Sequence, residues 1–377
     1  MEITSSIFIG KAILIIVIFG ITLLIATYST YAERKIAAFM QDRIGPDRAG
    51  PFGILQPLAD AVKMFMKEDF IPANANKWLF IAGPCLSMLT ALMTSAVIPW
   101  GDKLELFGQT FSLQGIEVNI GILWVFGIVS LGVYGVLIGG WASNNKYSLI
   151  GAIRAASQNI SYELAMGLSI IAIIMFTGSL STKAIVEAQQ NGHWNILYQP
   201  VGFIIFLVCA FAECNRTPFD LPECETELIG GYHTEYSSMK LGFYLFSEYI
   251  NMFISGAVMA TLYFGGYDYP GFSWVAANWG NNIANIIGLA TIFGKALLFV
   301  FFFMWVRWTI PRFRYDQLMS LGWTGLIPLA MANIVVTGLG ILLNWPLAIM
   351  WSMLIISLLI AFGYEFLTSK KQKLATN

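Results

Sequence analysis

Six carboxylates crowd into one short stretch, Glu213, Asp220, Glu223, Glu225, Glu227 and Glu235, with only Arg216 and Lys240 close by to offset them. Like charges held this near one another disfavour ionisation, so some of these carboxyls should exchange protons near neutral pH. A solvated acidic loop is the plainer reading of the same residues. Further charges interrupt long apolar runs: Glu163 in SYELAMG, Glu248 in FSEYINM, and Lys295, while Glu213 ends another such run. An ionisable group inside a membrane-spanning segment is costly and usually faces a bundle interior or a water-filled cavity. If their helices are neighbours, Glu163, Glu213, Glu248 and Lys295 could form a buried proton relay. Snorkelling to an interface suits Glu213 at a helix end, and suits Glu248 and Lys295 poorly.

The elements that must hold these groups are membrane spans. The 377-residue chain is 57% hydrophobic and 11% charged, less than half the charge of an ordinary soluble domain. Windows long enough to cross a hydrocarbon core fall near 8–31, 78–100, 120–142, 157–179, 196–213, 241–264, 283–306, 322–343 and 345–366. The expected fold is an all-α polytopic membrane protein with about nine transmembrane helices, forming a single integral domain over residues 1–377. The fifth window is the weakest, shortened by Tyr198, Gln199 and Pro200. The first lacks a basic start and a cleavage site, so it is read as a span retained in the mature chain.

Between the first two spans, GILQPLADAVKMFMKED places Ile54, Leu58 and Phe65 on one side of a helix and Asp60, Lys63 and Lys67 on another. That pattern predicts an amphipathic interfacial helix within a loop at 32–77. Most of the Lys and Arg residues fall in this loop, in the loops near 143–156, 214–240 and 307–321, and in the tail. By the positive-inside rule these face the cytoplasm, which puts the N-terminus in the periplasm and the C-terminus in the cytoplasm. The acidic loop at 213–240 shares that face. Pro218, Pro222 and Gly230-Gly231 forbid a regular helix there, and Phe219, Leu221, Ile229 and Tyr232 argue for a packed loop. Arg34, Arg43 and Arg48, with turns at Gly45-Pro46 and Gly50-Pro51, suggest a rigid basic platform. Lys35, Lys63, Lys67 and Lys77 read as plain anchors, and RFRYDQLM adds Arg312, Arg314 and Asp316.

Several chemistries are disfavoured. Cys85, Cys209, Cys214 and Cys224 show no CxxC pairing, and with only two histidines no Cys/His metal set assembles. No glycine-rich phosphate loop or nucleophilic triad stands out, and a net charge of −1 gives no reason to expect nucleic acid. The chain is expected to bind no redox cofactor itself; electron carriers would sit on another subunit.

Taken together, AERKIAAFMQDRIGPDRAGPFGILQPLADAVKMF, GWASNNKYSLIGAIRAASQNISYE, AFAECNRTPFDLPECETELIGGYHTEYSSMKLGFYLFSEY and WVRWTIPRFRYDQLM resemble the H-subunit family of bacterial NADH:quinone oxidoreductase, respiratory complex I. Its mitochondrial counterpart is NADH dehydrogenase subunit 1. The resemblance runs from about residue 30 to 320. It implies a membrane-arm subunit under peripheral subunits that carry FMN and iron-sulfur clusters, in a bacterial plasma (inner) membrane, with ubiquinone or another quinone as substrate. It also implies neighbouring small membrane-arm subunits as partners. By this resemblance Glu33, Arg34, Arg43, Asp60 and Arg216, with Arg312 and Arg314, line the quinone chamber and its entrance. Asp220, Glu223, Glu225, Glu227, Glu213, Glu163 and Glu248 match an acidic path that couples quinone chemistry to proton translocation; Lys295 joins that set as a buried charge. Alternatives are the corresponding subunit of a membrane-bound hydrogenase or ferredoxin-linked complex, a stand-alone cation transporter, or a structural anchor.

Overall fold

A computed structural model of the chain describes residues 2–106, 109–190, 193–222, 228–345, 351 and 355. The described residues are overwhelmingly helical. Among the described residues, seven helical runs are long and apolar enough to cross a membrane: α1 (Glu2–Met40), α3 (Lys77–Ser95), α4 (Gly121–Ala142), α5 (Lys146–Thr177), α9 (Ser238–Tyr263), α11 (Asn281–Thr309), and the run from α12 (Tyr315–Ser320) through a π-helical turn at Leu321–Leu326 into α13 (Ile327–Leu342). The fifth expected span is present as the shorter apolar helix α8 (Pro200–Glu213). The ninth window lies almost wholly outside the described residues. Short helices α2 (Gln56–Met66), α6 (Thr182–Gln190), α7 (Asn195–Tyr198) and α10 (Phe272–Trp279) occupy the connections, and β1 (Lys103–Leu106) pairs antiparallel with β2 (Gln109–Ser112).

Two spans outrun their apolar windows. Helix α1 continues to Met40 because YAERKIAAFM contains good helix formers and no breaker before Gly45-Pro46. Its 39 residues extend for ~58 Å, so its last turns, carrying Glu33 and Arg34, project past a hydrocarbon core of ~30 Å. Helix α5 starts at Lys146, well before the window at 157, where the Asn145 side chain accepts from Tyr147 N at 2.9 Å and so caps the first turn. Amphipathic α2 sits where its pattern predicts, with Pro in its first turn.

Helix α9 is the axis of the bundle. It packs against α1, α2, α3, α6, α8 and α11, and Phe253, Ile254, Ala257, Met259, Ala260 and Tyr263 on it are buried. Helices α3 and α4 approach closely through glycine, the usual device where lipid offers no hydrophobic drive between helices. A Cβ at Gly139 would lie 1.9 Å from the Tyr244 hydroxyl, which donates to Gly135 O at 3.1 Å. Gly139 therefore admits Tyr244 of α9 into the α3/α4 seam.

Candidate functional site

The projecting end of α1, the amphipathic α2 and the adjacent ends of α9 and α11 enclose a cavity of about 310 Å³. Its wall includes Glu33, Arg34, Arg43 and Asp60, all expected at a chamber, together with Tyr249, Arg307 and Trp308. Asp60 reaches the wall because α2 lies across α1, where Arg34 Nη1 stands 2.8 Å from Asp60 Oδ2 and Gln56 Nε2 donates to Asp60 Oδ1 at 3.2 Å. The Tyr31 hydroxyl donates to Phe52 O at 2.6 Å and ties the intervening loop to α1. Asp42 takes a left-handed turn (φ 52°) directly before Arg43, whose Nε donates to Gln41 Oε1 at 2.7 Å.

Glu33 is the hub. Its carboxylate accepts from Tyr249 Oη at 2.8 Å and from Arg216 Nη1 at 3.3 Å, and Arg307 Nη1 lies 2.5 Å from its other oxygen. Glu33 and Arg216 are both buried. Arg216 comes inward because α8 ends at Glu213 and Asn215 adopts φ 48°, a left-handed conformation that asparagine tolerates. The guanidinium stacks 4.2 Å from the Tyr249 ring centroid, a cation–π contact. Its Nη2 stands 3.8 Å from Glu248 Oε2. Burial opposes the Arg216 charge, and Tyr249, Glu33 and Glu248 more than offset that, holding the guanidinium charged above even the usual arginine range. From the cavity inward the charges therefore alternate: Arg307, Glu33, Arg216, Glu248. An interaction at ~4 Å is worth about 4 kcal/mol at an effective dielectric constant near 20, so a change at one member is felt by the next.

Beyond Glu248 the carboxylates share the walls of small voids. Tyr232 Oη donates to Glu248 Oε1 at 3.0 Å. A cavity of about 40 Å³ has both Glu248 and Glu213 in its wall, with Asn159, Asn251 and Ser247; a smaller one joins Glu213 to Glu163. Glu163 accepts a short hydrogen bond from Ser130 of α4. Voids of the larger size, lined by several polar groups, can hold water.

Other expected residues lie elsewhere. Arg312 pairs with Asp220 at 2.9 Å, and Arg314 with Asp316 at 2.5 Å, on the segment before α12 rather than in the cavity wall. That segment packs on the acidic loop, where Phe313 N donates to Pro218 O at 3.2 Å, and Gln158 of α5 ties the same loop to the end of α8 by donating to Ala212 O at 2.7 Å and Phe219 O at 2.9 Å. Glu235 accepts from Asn145 Nδ2 at 2.6 Å, beside the start of α5. Lys295 donates to the carbonyls of Phe264, Gly266 and Asp268 at 2.6 to 2.9 Å and lies 4.7 Å from the Trp194 ring centroid. Its ammonium thus clamps the end of α9, away from the carboxylate series. Glu223, Glu225 and Glu227 fall outside the described residues. Sequence reasoning missed Tyr249, Tyr232 and Arg307 as site residues; Tyr249 adjoins Glu248 in FSEYINM, and Arg307 stood out only as a positive charge at a span end.

The NADH dehydrogenase family model matches residues 12–338. The chain belongs to this family. Within the NADH dehydrogenase family it is 62% identical over 338 residues to the H subunit of NADH-quinone oxidoreductase from Flavobacterium johnsoniae, covering 90% of this chain and 97% of that protein. It is 63% identical over 339 residues to the protein of that name from Flavobacterium psychrophilum, covering 90% and 99%. It is 44% identical over 340 residues to NADH-quinone oxidoreductase subunit 8 of Rhodothermus marinus, covering 88% and 97%. The NADH dehydrogenase match takes in every residue that lines the cavity.

Proposed function

We propose that this chain is a membrane-arm subunit of NADH:quinone oxidoreductase in a bacterial plasma membrane, that its α1/α2/α9/α11 cavity admits the quinone, and that the ion-pair series leading from it couples quinone reduction to proton translocation. The observation that carries the reading is the placement of Glu33, which lies in the wall of the cavity and bonds both Arg307 and Arg216. Electrons would arrive from FMN and iron-sulfur clusters on peripheral subunits, docked on the face bearing α2 and the acidic loop. That face would be cytoplasmic, with the N-terminus periplasmic, as the distribution of Lys and Arg supports.

Reducing a quinone to quinol adds two electrons and two protons, so negative charge arises in the cavity before protonation is complete. Arg307, in the cavity wall, is placed to turn toward that charge. Glu33 then loses one of its guanidinium partners and draws more strongly on Arg216. Arg216 relaxes its hold on Glu248, whose proton affinity rises, and a proton moves by way of water between Glu248, Glu213 and Glu163. Arg34, Arg43 and Asp60 would orient the headgroup at the entrance. Asp220, Glu223, Glu225 and Glu227 belong to the proposal as the cytoplasmic-side acids that feed the series. Lys295 is left out, because its donors are occupied by backbone carbonyls.

The test is purification of the whole assembly through a tag on this chain, followed by NADH:quinone and NADH:ferricyanide assays of wild type and Glu33→Gln. The proposal expects copurified flavin and iron-sulfur subunits, impaired quinone reduction and retained ferricyanide reduction. Unchanged quinone turnover and pumping in Glu33→Gln would refute it.

A further inference from the structure

Glu213 also lies in the wall of a second, mainly apolar void of about 40 Å³, which the coupling series does not use. That void follows Asn251, Ser255 and Thr261 along α9 and reaches Thr182 at the start of α6, below the β-hairpin. From Ser247 to Thr261 the polar positions of α9 climb ~21 Å, most of the way across a hydrocarbon core of ~30 Å. The void is mainly apolar, and water entering it along those few polar positions would connect a proton-carrying carboxylate with the far face and dissipate any gradient the protein helps to build. It therefore needs a closure.

The closure stands at Thr182. The Thr182 hydroxyl donates to Val97 O at 3.0 Å, Gln114 Nε2 donates to the same carbonyl at 2.8 Å, and Gln114 Nε2 also reaches the Thr182 hydroxyl at 3.1 Å. All three sides of this triangle are buried: Gln114 is 1% exposed and Thr182 5%. The Thr182 methyl presses on the start of α4, where a Cβ at Gly121 would lie 3.1 Å from it. Just outside, Lys183 pairs with Asp102 at 3.1 Å. Gln114 Oε1 is buried with no hydrogen-bond partner among the described residues. A buried acceptor in that position calls for a donor, which a water held against the closure would supply.

We propose that Gln114, Thr182 and the Val97 carbonyl form a proton-tight plug that closes the Glu213 cavity on the hairpin face. The proposal rests on the reading of Glu213 as a coupling carboxylate. It assigns the sequence between β2 and α4, and the start of α6, a task of insulation: water can enter from Glu213, and protons cannot leave past Thr182.

The experiment uses the complete assembly in sealed proteoliposomes carrying an internal pH dye, with wild type, Thr182→Ala, Gln114→Leu, Glu213→Gln and the double variant Thr182→Ala/Glu213→Gln. In uncoupled vesicles both plug variants should turn over quinone at the wild-type rate. In resting vesicles an imposed pH gradient should collapse several-fold faster with either plug variant, Thr182→Ser should restore the slow decay, and adding Glu213→Gln to Thr182→Ala should slow it again. Unchanged decay in both plug variants overturns the plug. Fast decay that Glu213→Gln does not slow overturns it as well, because the leak then bypasses the cavity. Glu213→Gln alone judges the underlying reading separately: wild-type pumping in that variant removes Glu213 from the coupling path.

Discussion

Arg307 of α11 and Glu33 of α1 meet at 2.5 Å on the inner wall of the cavity, although 274 positions of chain separate them. Arg307 is partly exposed and Glu33 is buried, so the pair joins the more accessible group of the cavity wall to its buried carboxylate. Replacing Arg307 with Met should lower quinone-linked turnover roughly tenfold, equivalent to ~1.4 kcal/mol, chiefly through kcat. Arg307→Lys should recover part of the loss, and ferricyanide reduction should stay unchanged in both. A loss confined to KM would make Arg307 a binding residue and nothing more.

Asp60 belongs to a different regime. Its pair with Arg34 is half exposed, and such pairs contribute at most about 1 kcal/mol to stability. Asp60→Ala should therefore leave thermal unfolding of the assembly nearly unmoved while raising KM for quinone. A large drop in melting temperature at unchanged KM would contradict the place assigned to Asp60 at the entrance.

Gln158 is fully buried and binds a carbonyl at the end of α8 and one in the acidic loop at once. Truncation to Ala leaves Ala212 O and Phe219 O without that donor, at a cost of ~1–3 kcal/mol. Hydrogen exchange in residues 214–222 should quicken in Gln158→Ala, ahead of any change in the spans. Equal protection in variant and wild type would show that the loop is held by other means.

Lys295→Met should lower the yield of assembled enzyme, since three carbonyls lose a charged donor and each unmet buried group costs ~1–3 kcal/mol. Enzyme that does assemble should keep wild-type pumping per electron. Normal yield with defective pumping would return Lys295 to the coupling set.

Glu117 offers a pH test on the opposite face. Its hydrogen bond to Lys11 at 2.7 Å holds the carboxyl below its usual range. A group with a depressed folded-state pKa stabilises above its unfolded pKa and loses that contribution as pH falls through the folded one. The tie between α1 and the segment after β2 should therefore persist at neutral pH and fail below the ordinary carboxylate range. Exchange at the β1/β2 amides, corrected for intrinsic rates, should rise over that acid window in wild type; Glu117→Gln should show the higher exchange at every pH.

How much of this was legible beforehand differs from residue to residue. Glu163, Glu213 and Glu248 declared themselves because a carboxylate in an apolar run is expensive anywhere, so its presence alone is informative. Their juxtaposition was not readable: it depends on α4, α5, α8 and α9 being neighbours, and nothing in one chain's order states which helices touch. The early start of α5 was missed because apolar windows follow lipid contact, whereas Asn145 starts a helix by satisfying backbone donors whatever surrounds it. Tyr249 and Arg307 were passed over for a related reason. An aromatic residue or a basic one at a span end has an ordinary explanation, and only its partners give it another. Lys295 shows the converse, a partly buried charge whose partners are main-chain carbonyls and therefore invisible in a list of side chains.

Helix α5 and its N-terminal cap carry three contacts on one unbroken rod: Asn145 against Glu235, Gln158 against the acidic loop, and Glu163 against Ser130. From 145 to 163 that rod is ~27 Å long, with Gln158 as a fulcrum nearer the carboxylate end. Movement of residues 228–237 would act on its long arm, and Glu163 on the short one would shift by less and with greater leverage. On the proposed reading, the membrane carboxylate would be geared to the acidic loop by mechanics as well as by charge.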